Sequence, residues 1–172
     1  TTRSRRTATP PLNSSVRRPM IQIRSGDLLK VSFEGRDVVF AVLTKKVLFG
    51  GNWCYVFHET PGTDLSRVSG FNAFVDFIVP KRQGRVARVS SENDLSGLGG
   101  PGLLKQQPNR EKSTYAVYRW SNFQVDSVVH VRTTASPTKE ELSAPEYSCL
   151  PADFACELAL RQWRPQDRMW SD

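Results

Sequence analysis

The sequence predicts a mainly β protein: a small β-barrel preceded by a basic arm and followed by one C-terminal helix. From residue 21 onward, short runs alternate apolar and polar residues, and clusters of Gly, Pro, Asn and Asp separate these runs. Five or six of them fall within about seventy residues, which is the turn spacing of a small barrel or sandwich. With 172 residues, of which 38% are hydrophobic and 24% charged, the chain can bury one core of ordinary size.

Each expected strand is bounded by turn residues. Leu29, Val31 and Phe33 alternate with polar neighbours, as in a strand with one buried face. Residues 50–52, Gly-Gly-Asn, supply the positive φ angles that a tight hairpin needs. The expected strands, in chain order, are residues 29–33, 38–43, 47–49, 53–57, 71–79, 85–89, 114–120 and 125–132.

The chain is expected to have three parts: an arm over residues 1–20, a barrel domain over 21–135 and an acidic, Pro-punctuated tail over 136–172. Within the domain, residues 90–113 are rich in glycine and show no periodicity. This predicts a long loop, of the kind that serves a function or extends over a partner. The glycines do not form a phosphate cradle, because no Gly-Lys-Ser/Thr follows them.

The tail contains one helix signal. Pro151 is a favourable opening residue for a helix, and Pro165 cannot continue one. Between them, Phe154 and Leu158 are spaced so that they share a helical face. The sequence therefore predicts a helix over residues 152–163 that caps an open end of the barrel or docks on a neighbour.

The positive charge of the chain is concentrated at its start. The net charge is +7, and residues 1–26 contain no acid. Residues 27–172 carry 18 basic against 17 acidic side chains, so most of the excess belongs to the arm. An arm of this composition cannot bury enough apolar surface to order alone, and its charge predicts a polyanionic partner, nucleic acid above all. The arginines of the arm are Arg3, Arg5, Arg6, Arg17 and Arg18, and Arg24 follows the arm.

A second basic feature lies at residues 79–89, where four basic residues occur without an acid. We expect its arginines to face outward and Val86 and Val89 to face the barrel, which would make this an edge that grips phosphate oxygens. The alternative is a solvated hairpin whose charges prevent edge pairing. Combined with the arm, RNA contact is the favoured interpretation. The residues predicted to bind RNA are Arg3, Arg5, Arg6, Arg17, Arg18, Arg24, Lys81, Arg82, Arg85 and Arg88.

The sequence does not predict an enzyme, a metal site or a cofactor. Cys54, His58, Cys149 and Cys156 are of zinc-ligand type, but the last two are spaced more widely than ligand pairs in structural zinc sites. Three cysteines also give little support to a disulfide framework. His58 and His130 could act as bases, yet no Ser or Cys stands in a recognisable nucleophile turn.

Two segments resemble the SH3-like barrel of some large-subunit ribosomal proteins. They are RSGDLLKV at 24–31, whose Gly-Asp pair would start the first barrel strand, and IVPKRQGRVAR at 78–88. The resemblance covers residues 21–89 and implies that the second segment contacts ribosomal RNA. The Gly-rich segment that such barrels carry is not evident, and residues 90–172 have no counterpart. Added arms, loops and tails are typical of organelle ribosomal proteins, so the resemblance implies a mitochondrial ribosome.

The resulting hypothesis is a structural RNA-binding constituent of a ribonucleoprotein particle, namely a ribosome of the mitochondrial matrix. Its partners would be ribosomal RNA and neighbouring proteins. A membrane partner is not expected, because no run approaches the ~18 apolar residues that a spanning helix needs. One alternative is a viral coat protein whose basic arm binds the genome. Another is a soluble protein-binding module, such as a toxin-neutralising immunity protein, which leaves the arginine-rich arm unexplained.

Overall fold

Two β-sheets and three short helices make up the part of the chain that the computed structural model describes, residues 20–48, 50–124 and 127–169. Strands account for 39% of the structure and helices for 15%, so the prediction of a mainly β fold with a C-terminal helix is confirmed. The strands are β1 Leu28–Phe33, β2 Arg36–Leu48, β3 Gly51–Phe57, β4 Gly70–Asp76, β5 Val86–Ser90, β6 Leu103–Gln106, β7 Tyr115–Trp120, β8 Val128–Thr134 and β9 Cys149–Pro151. The helices are α1 Ile78–Arg82, α2 Lys139–Leu142 and α3 Ala152–Leu160, and a 3-10 turn spans Leu65–Arg67.

The larger sheet has six strands in the order β5-β1-β2-β3-β4-β9. All its pairings are antiparallel except that of β9 with β4. Glu34 and Gly35, both with positive φ, form the tight turn that joins β1 to β2. In the described residues this sheet is not closed into the expected barrel, because β9 occupies the free edge of β4.

Helix α3 covers one face of this sheet. Ala155, Cys156 and Ala159 are buried against the strands, and their small side chains let the helix lie close to the sheet. The helix ends at Leu160 rather than at residue 163 as expected, because Gln162 has a φ of 55° and turns the chain out of helical geometry. Trp163 then folds back onto the core.

The smaller sheet has the order β6-β7-β8. Strand β6 lies inside the expected loop 90–113, so that prediction was wrong for its second half. Four buried side chains join the two sheets: Trp53 and Phe74 from the larger, Leu104 and Trp120 from the smaller. The rings of Trp53 and Trp120 meet edge to face, with centroids 5.1 Å apart. The junction between the sheets is therefore largely aromatic and buried.

One expectation about a strand was wrong. The strand expected over 71–79 ends at Asp76, whose carboxylate accepts a hydrogen bond of 2.8 Å from the backbone N–H of Ile78 and opens α1. The described part of the expected tail, residues 136–172, packs onto the rest of the chain. It contributes β9 to the larger sheet and α3 to the core. Among the described residues, no helix is long and apolar enough to cross a membrane.

Lys105 on β6 holds this C-terminal region to the smaller sheet. Its side chain is 1% exposed, and its ammonium donates hydrogen bonds to the backbone oxygens of Leu142, Ala144 and Pro165 at 2.8, 2.6 and 2.7 Å. The Glu146 carboxylate lies 3.8 Å away. Burial lowers the pKa of Lys105 to about 8 and raises that of Glu146 to about 7. All three ammonium protons are satisfied by backbone oxygens, whereas one Glu146 oxygen is buried without a hydrogen bond.

The raised pKa of Glu146 makes stability depend on pH. Because the folded chain holds this proton more tightly than the unfolded chain, the carboxyl adds stability below its ordinary pKa of 4.5, and the gain is lost as the pH rises through 7. Glu146→Gln removes this titration. We expect the free energy of unfolding of the variant, relative to the parent, to rise between pH 4.5 and 7 by on the order of 1–3 kcal/mol in urea titrations.

Glu140→Gln is the matched control, since it removes an exposed carboxylate from the short helix α2, six positions before Glu146. Its curve should run parallel to that of the parent over this range. If the Glu146→Gln curve is also parallel, the buried carboxyl does not titrate as described.

Candidate functional site

Half of the residues predicted to bind RNA lie in the part of the chain that the structure describes. Those of the arm, Arg3, Arg5, Arg6, Arg17 and Arg18, are outside the described residues. The other five, Arg24, Lys81, Arg82, Arg85 and Arg88, lie beside β1, in α1 and in or next to β5. The structure divides these five into two groups, according to whether a carboxylate holds the side chain.

Arg85 is held by a carboxylate. Its guanidinium makes two parallel hydrogen bonds of 2.8 Å to Asp153 on α3. It also donates to the backbone oxygen of Ser32 at 2.8 Å and to the Gln83 side chain at 2.7 Å. The hydrogen bonds that it donates to Asp153 raise the pKa of Arg85. The planar fork that suits a phosphate is thus used to fasten α3 to the end of β1.

Arg88 neutralises a buried carboxylate. Its Nε lies 3.2 Å from Oδ2 of Asp27, which is 1% exposed and also accepts the backbone N–H of Arg24 at 2.9 Å. The same guanidinium donates to the backbone oxygen of Gln22. The other oxygen of Asp27 is buried without a hydrogen-bond partner. Arg88 is therefore the charge that makes a buried Asp27 tolerable.

The expected inward and outward assignment of β5 was wrong at two positions. Side chains alternate along a strand, so Arg88 shares the face of Val86, which packs on the core beneath α3. Val89 points to the opposite face and is 57% exposed rather than buried. Arg88 thus lies at the rim of the core, where its side chain is 32% exposed.

The second group consists of Arg24, Lys81 and Arg82, whose charged groups are not held by a carboxylate in the described part of the chain. Lys81 and Arg82 in α1 make no ion pair or side-chain hydrogen bond within the described residues. Arg24 is exposed and contacts Gln22 at 3.3 Å. Beside the two α1 cations, Ile78 is 45% exposed and Val79 is 53% exposed. Helix α1 therefore presents a small surface on which apolar and basic side chains adjoin.

Several other charges of the body pair with one another. Lys30 lies 3.8 Å from Asp37, and Arg67 lies 3.1 Å from Asp64. Arg132 pairs with Glu141, whose pKa is lowered to about 2, chiefly by the hydrogen bond from that arginine. Together with the near balance of basic and acidic residues after position 26, these pairs leave the body with little excess charge.

The residues of zinc-ligand type do not converge. No group of three or more His, Cys, Asp or Glu side chains that could hold a metal occurs in the described ranges. His58 is buried and hydrogen-bonded at both ring nitrogens, to Ser69 at 3.1 Å and to the backbone oxygen of Trp163 at 2.6 Å. Burial raises the pKa of the Cys54 thiol, which favours its unreactive protonated form. His58 thus anchors the chain after α3.

A cavity that no sequence pattern predicted lies on the sheet face opposite α3. It has a volume of about 580 Å³ and lies between the outer face of the β1–β2 hairpin, the end of β5 and the chain that follows β3. Its lining combines apolar side chains with the pair formed by Lys30 and Asp37. The residues come from segments far apart in the sequence, so periodicity carries no signal for it.

No protein-family model, curated protein or solved structure matches this chain. The SH3-like resemblance therefore stays a prediction.

The pairing of Arg88 with Asp27 predicts a stability defect rather than a simple loss of surface charge. Arg88→Gln leaves a carboxylate buried without its cation, and we expect unfolding to become easier by about 2–4 kcal/mol in chemical denaturation. Arg82→Gln, which breaks no ion pair in the described part of the chain, should change stability by less than about 0.5 kcal/mol.

A double variant isolates the cause. Asp27→Asn in the Arg88→Gln background removes the uncompensated charge and should recover part of the lost stability. Unfolding of Arg88→Gln at the same denaturant concentration as the parent would show that Asp27 does not depend on this arginine.

Proposed function

We propose that this protein is a non-catalytic, RNA-binding constituent of a ribonucleoprotein particle, and that the particle is a mitochondrial ribosome. The observation that carries the proposal is the separation of charge along the chain. Six arginines without an acid precede a body whose own charges nearly balance. An unbalanced arginine-rich segment attached to a neutral folded body suits a polyanion, because each phosphate contact releases a condensed counterion.

The ion pairs within the body support the proposal that the arm, rather than the body, supplies most of the phosphate contacts. Arg85, Arg88 and Lys105 are held by carboxylates or backbone oxygens and stabilise the fold. Their charges are therefore not available to a phosphate backbone. Of the predicted RNA-binding residues in the described part, Arg24, Lys81 and Arg82 remain for contacts that supplement those of the arm.

The α1 surface fits a position inside an assembly. Exposed Ile78 and Val79 lie next to Lys81 and Arg82, so one small area offers both apolar contact and positive charge. Particles built of RNA and protein present both kinds of neighbour. Neighbouring proteins of the particle are accordingly the second class of partner that we propose.

Sedimentation tests the assembly. In an extract of the source cells, the native protein should sediment with a ribosomal subunit in high salt and should leave that fraction after ribonuclease treatment. A protein found only in closed shells would instead be a coat protein. A protein found only as a free monomer, unaffected by ribonuclease, would be a soluble binding module, and either result would overturn the proposal.

Removal of the arm should change the salt dependence of RNA binding. A chain that lacks residues 1–18 loses five arginines. The negative slope of log affinity against log salt should become shallower by about 3.5, at about 0.7 for each lost contact to a single-stranded phosphate. Fluorescence anisotropy with a labelled RNA at several salt concentrations measures the slope.

A body variant separates the two sources of charge. Lys81→Gln with Arg82→Gln should make the slope shallower by about 1.4 while the melting temperature stays that of the parent, because neither side chain makes an ion pair with any residue that the structure describes. Arg67→Gln, which removes an exposed charge paired with Asp64, is the matched control. If the slope is the same with and without residues 1–18, the arm does not have the proposed role.

A further inference from the structure

The cavity of about 580 Å³ lies on the face of the larger sheet that α3 does not cover. Leu28 and Val39, 7% and 5% exposed, form its floor on β1 and β2. Leu65 and Val89 contribute walls from the 3-10 turn and from β5. A cavity of this volume with a mainly apolar lining has the size and character of a site for a small organic molecule.

The apolar side chains that line the cavity are not all covered by the rest of the described chain. Val89 is 57% exposed at the lip of the cavity, although its strand neighbour Val86 packs into the core. The upper part of the same sheet face, around Ala41 and Phe57, is covered by Leu95 and Leu98 from the segment after β5. Leu28 and Val39 belong to the same buried cluster, and Val89 stays exposed beside it.

One end of the cavity carries two opposite charges. Nζ of Lys30 lies 3.8 Å from Oδ2 of Asp37, and each side chain is nearly half exposed, at 45% and 49%. This separation exceeds a hydrogen bond, so the Lys30 protons are not committed to the pair. The other oxygen of Asp37 accepts from the Ser32 hydroxyl at 3.0 Å, which fixes the orientation of the carboxylate. An exposed pair of this kind is weak and can exchange its partner for a ligand.

We propose that this cavity binds a free α-amino acid with an apolar side chain. The carboxylate of the ligand would lie on Lys30 and its ammonium on Asp37, with the side chain over Leu28 and Val39 and against Val89. The two charged groups of an amino acid leave the same carbon, so their spacing matches that of two side chains in ion-pair contact. This site goes beyond the proposed RNA binding and uses none of its residues.

Other ligand classes satisfy the site less well. A monoanion would place its charge beside Asp37, and a monocation would place its charge beside Lys30, so each meets a like charge. An uncharged apolar molecule would cover both charged heads without replacing their water. The zwitterion pairs both, and the apolar floor then selects for its side chain.

Isothermal titration with L-phenylalanine tests the proposal on the full chain. Binding should saturate, and N-acetyl-phenylalanine, which lacks the ammonium, and phenylalanine amide, which lacks the carboxylate, should each bind about tenfold or more weakly. Lys30→Gln and Asp37→Asn should each weaken phenylalanine by a similar factor. Arg36→Gln, an exposed residue outside the cavity lining, is the matched control and should bind as the parent does.

Val89→Asp provides a variant that spares the ion pair. Val89 is exposed at the lip, so the fold should persist, while the new carboxylate should weaken phenylalanine binding by about tenfold or more. Absence of saturable binding by the parent would overturn the proposal. Equal binding of phenylalanine and its two blocked analogues, or binding unchanged in Lys30→Gln, Asp37→Asn and Val89→Asp, would overturn it equally.

Discussion

The buried ammonium of Lys105 is the constraint on which the arrangement of the second half of the chain depends. A buried charge without partners is very costly, and this one is satisfied by backbone oxygens at Leu142, Ala144 and Pro165. Those three positions are therefore fixed relative to β6. Because β9 and α3 lie between the second and third of them, the same contact fixes where α3 meets the larger sheet. The hydrogen bond from His58 to the Trp163 carbonyl holds the chain after α3 from the opposite side.

Several charges in the described body join segments that are distant in the sequence. Arg85 and Asp153 are 68 positions apart, and Arg88 neutralises a carboxylate that precedes β1. Arginines paired in this way stabilise the fold. The body is nearly neutral because residues 27–172 carry 18 basic against 17 acidic side chains, so the excess in the net charge of +7 belongs to the segment that precedes the first strand.

Sequence patterns predicted the strands with one clearly buried face and missed the elements whose partners are remote. The alternation of Leu29 and Val31 located β1, because one face of that strand lies under α3. Strand β6 was missed because it is only four residues long, follows a glycine-rich run and buries a lysine. The first residues of α1 were predicted to continue a strand, because residues 77–80 form an apolar run. The cavity and the arginine pairs could not be predicted, because they exist only once distant segments meet.

The two faces of the larger sheet differ. The face beneath α3 is buried, and the small side chains of that helix let it pack closely on the strands. The other face is covered only in part, and the open part combines buried Leu28 and Val39 with exposed Val89. Burying Val89 would have been favourable, at roughly 25 cal/mol for each Å² of apolar surface covered. A charged pair standing beside uncovered apolar surface is the composition of a binding site, in which the ligand completes the packing that the chain leaves open.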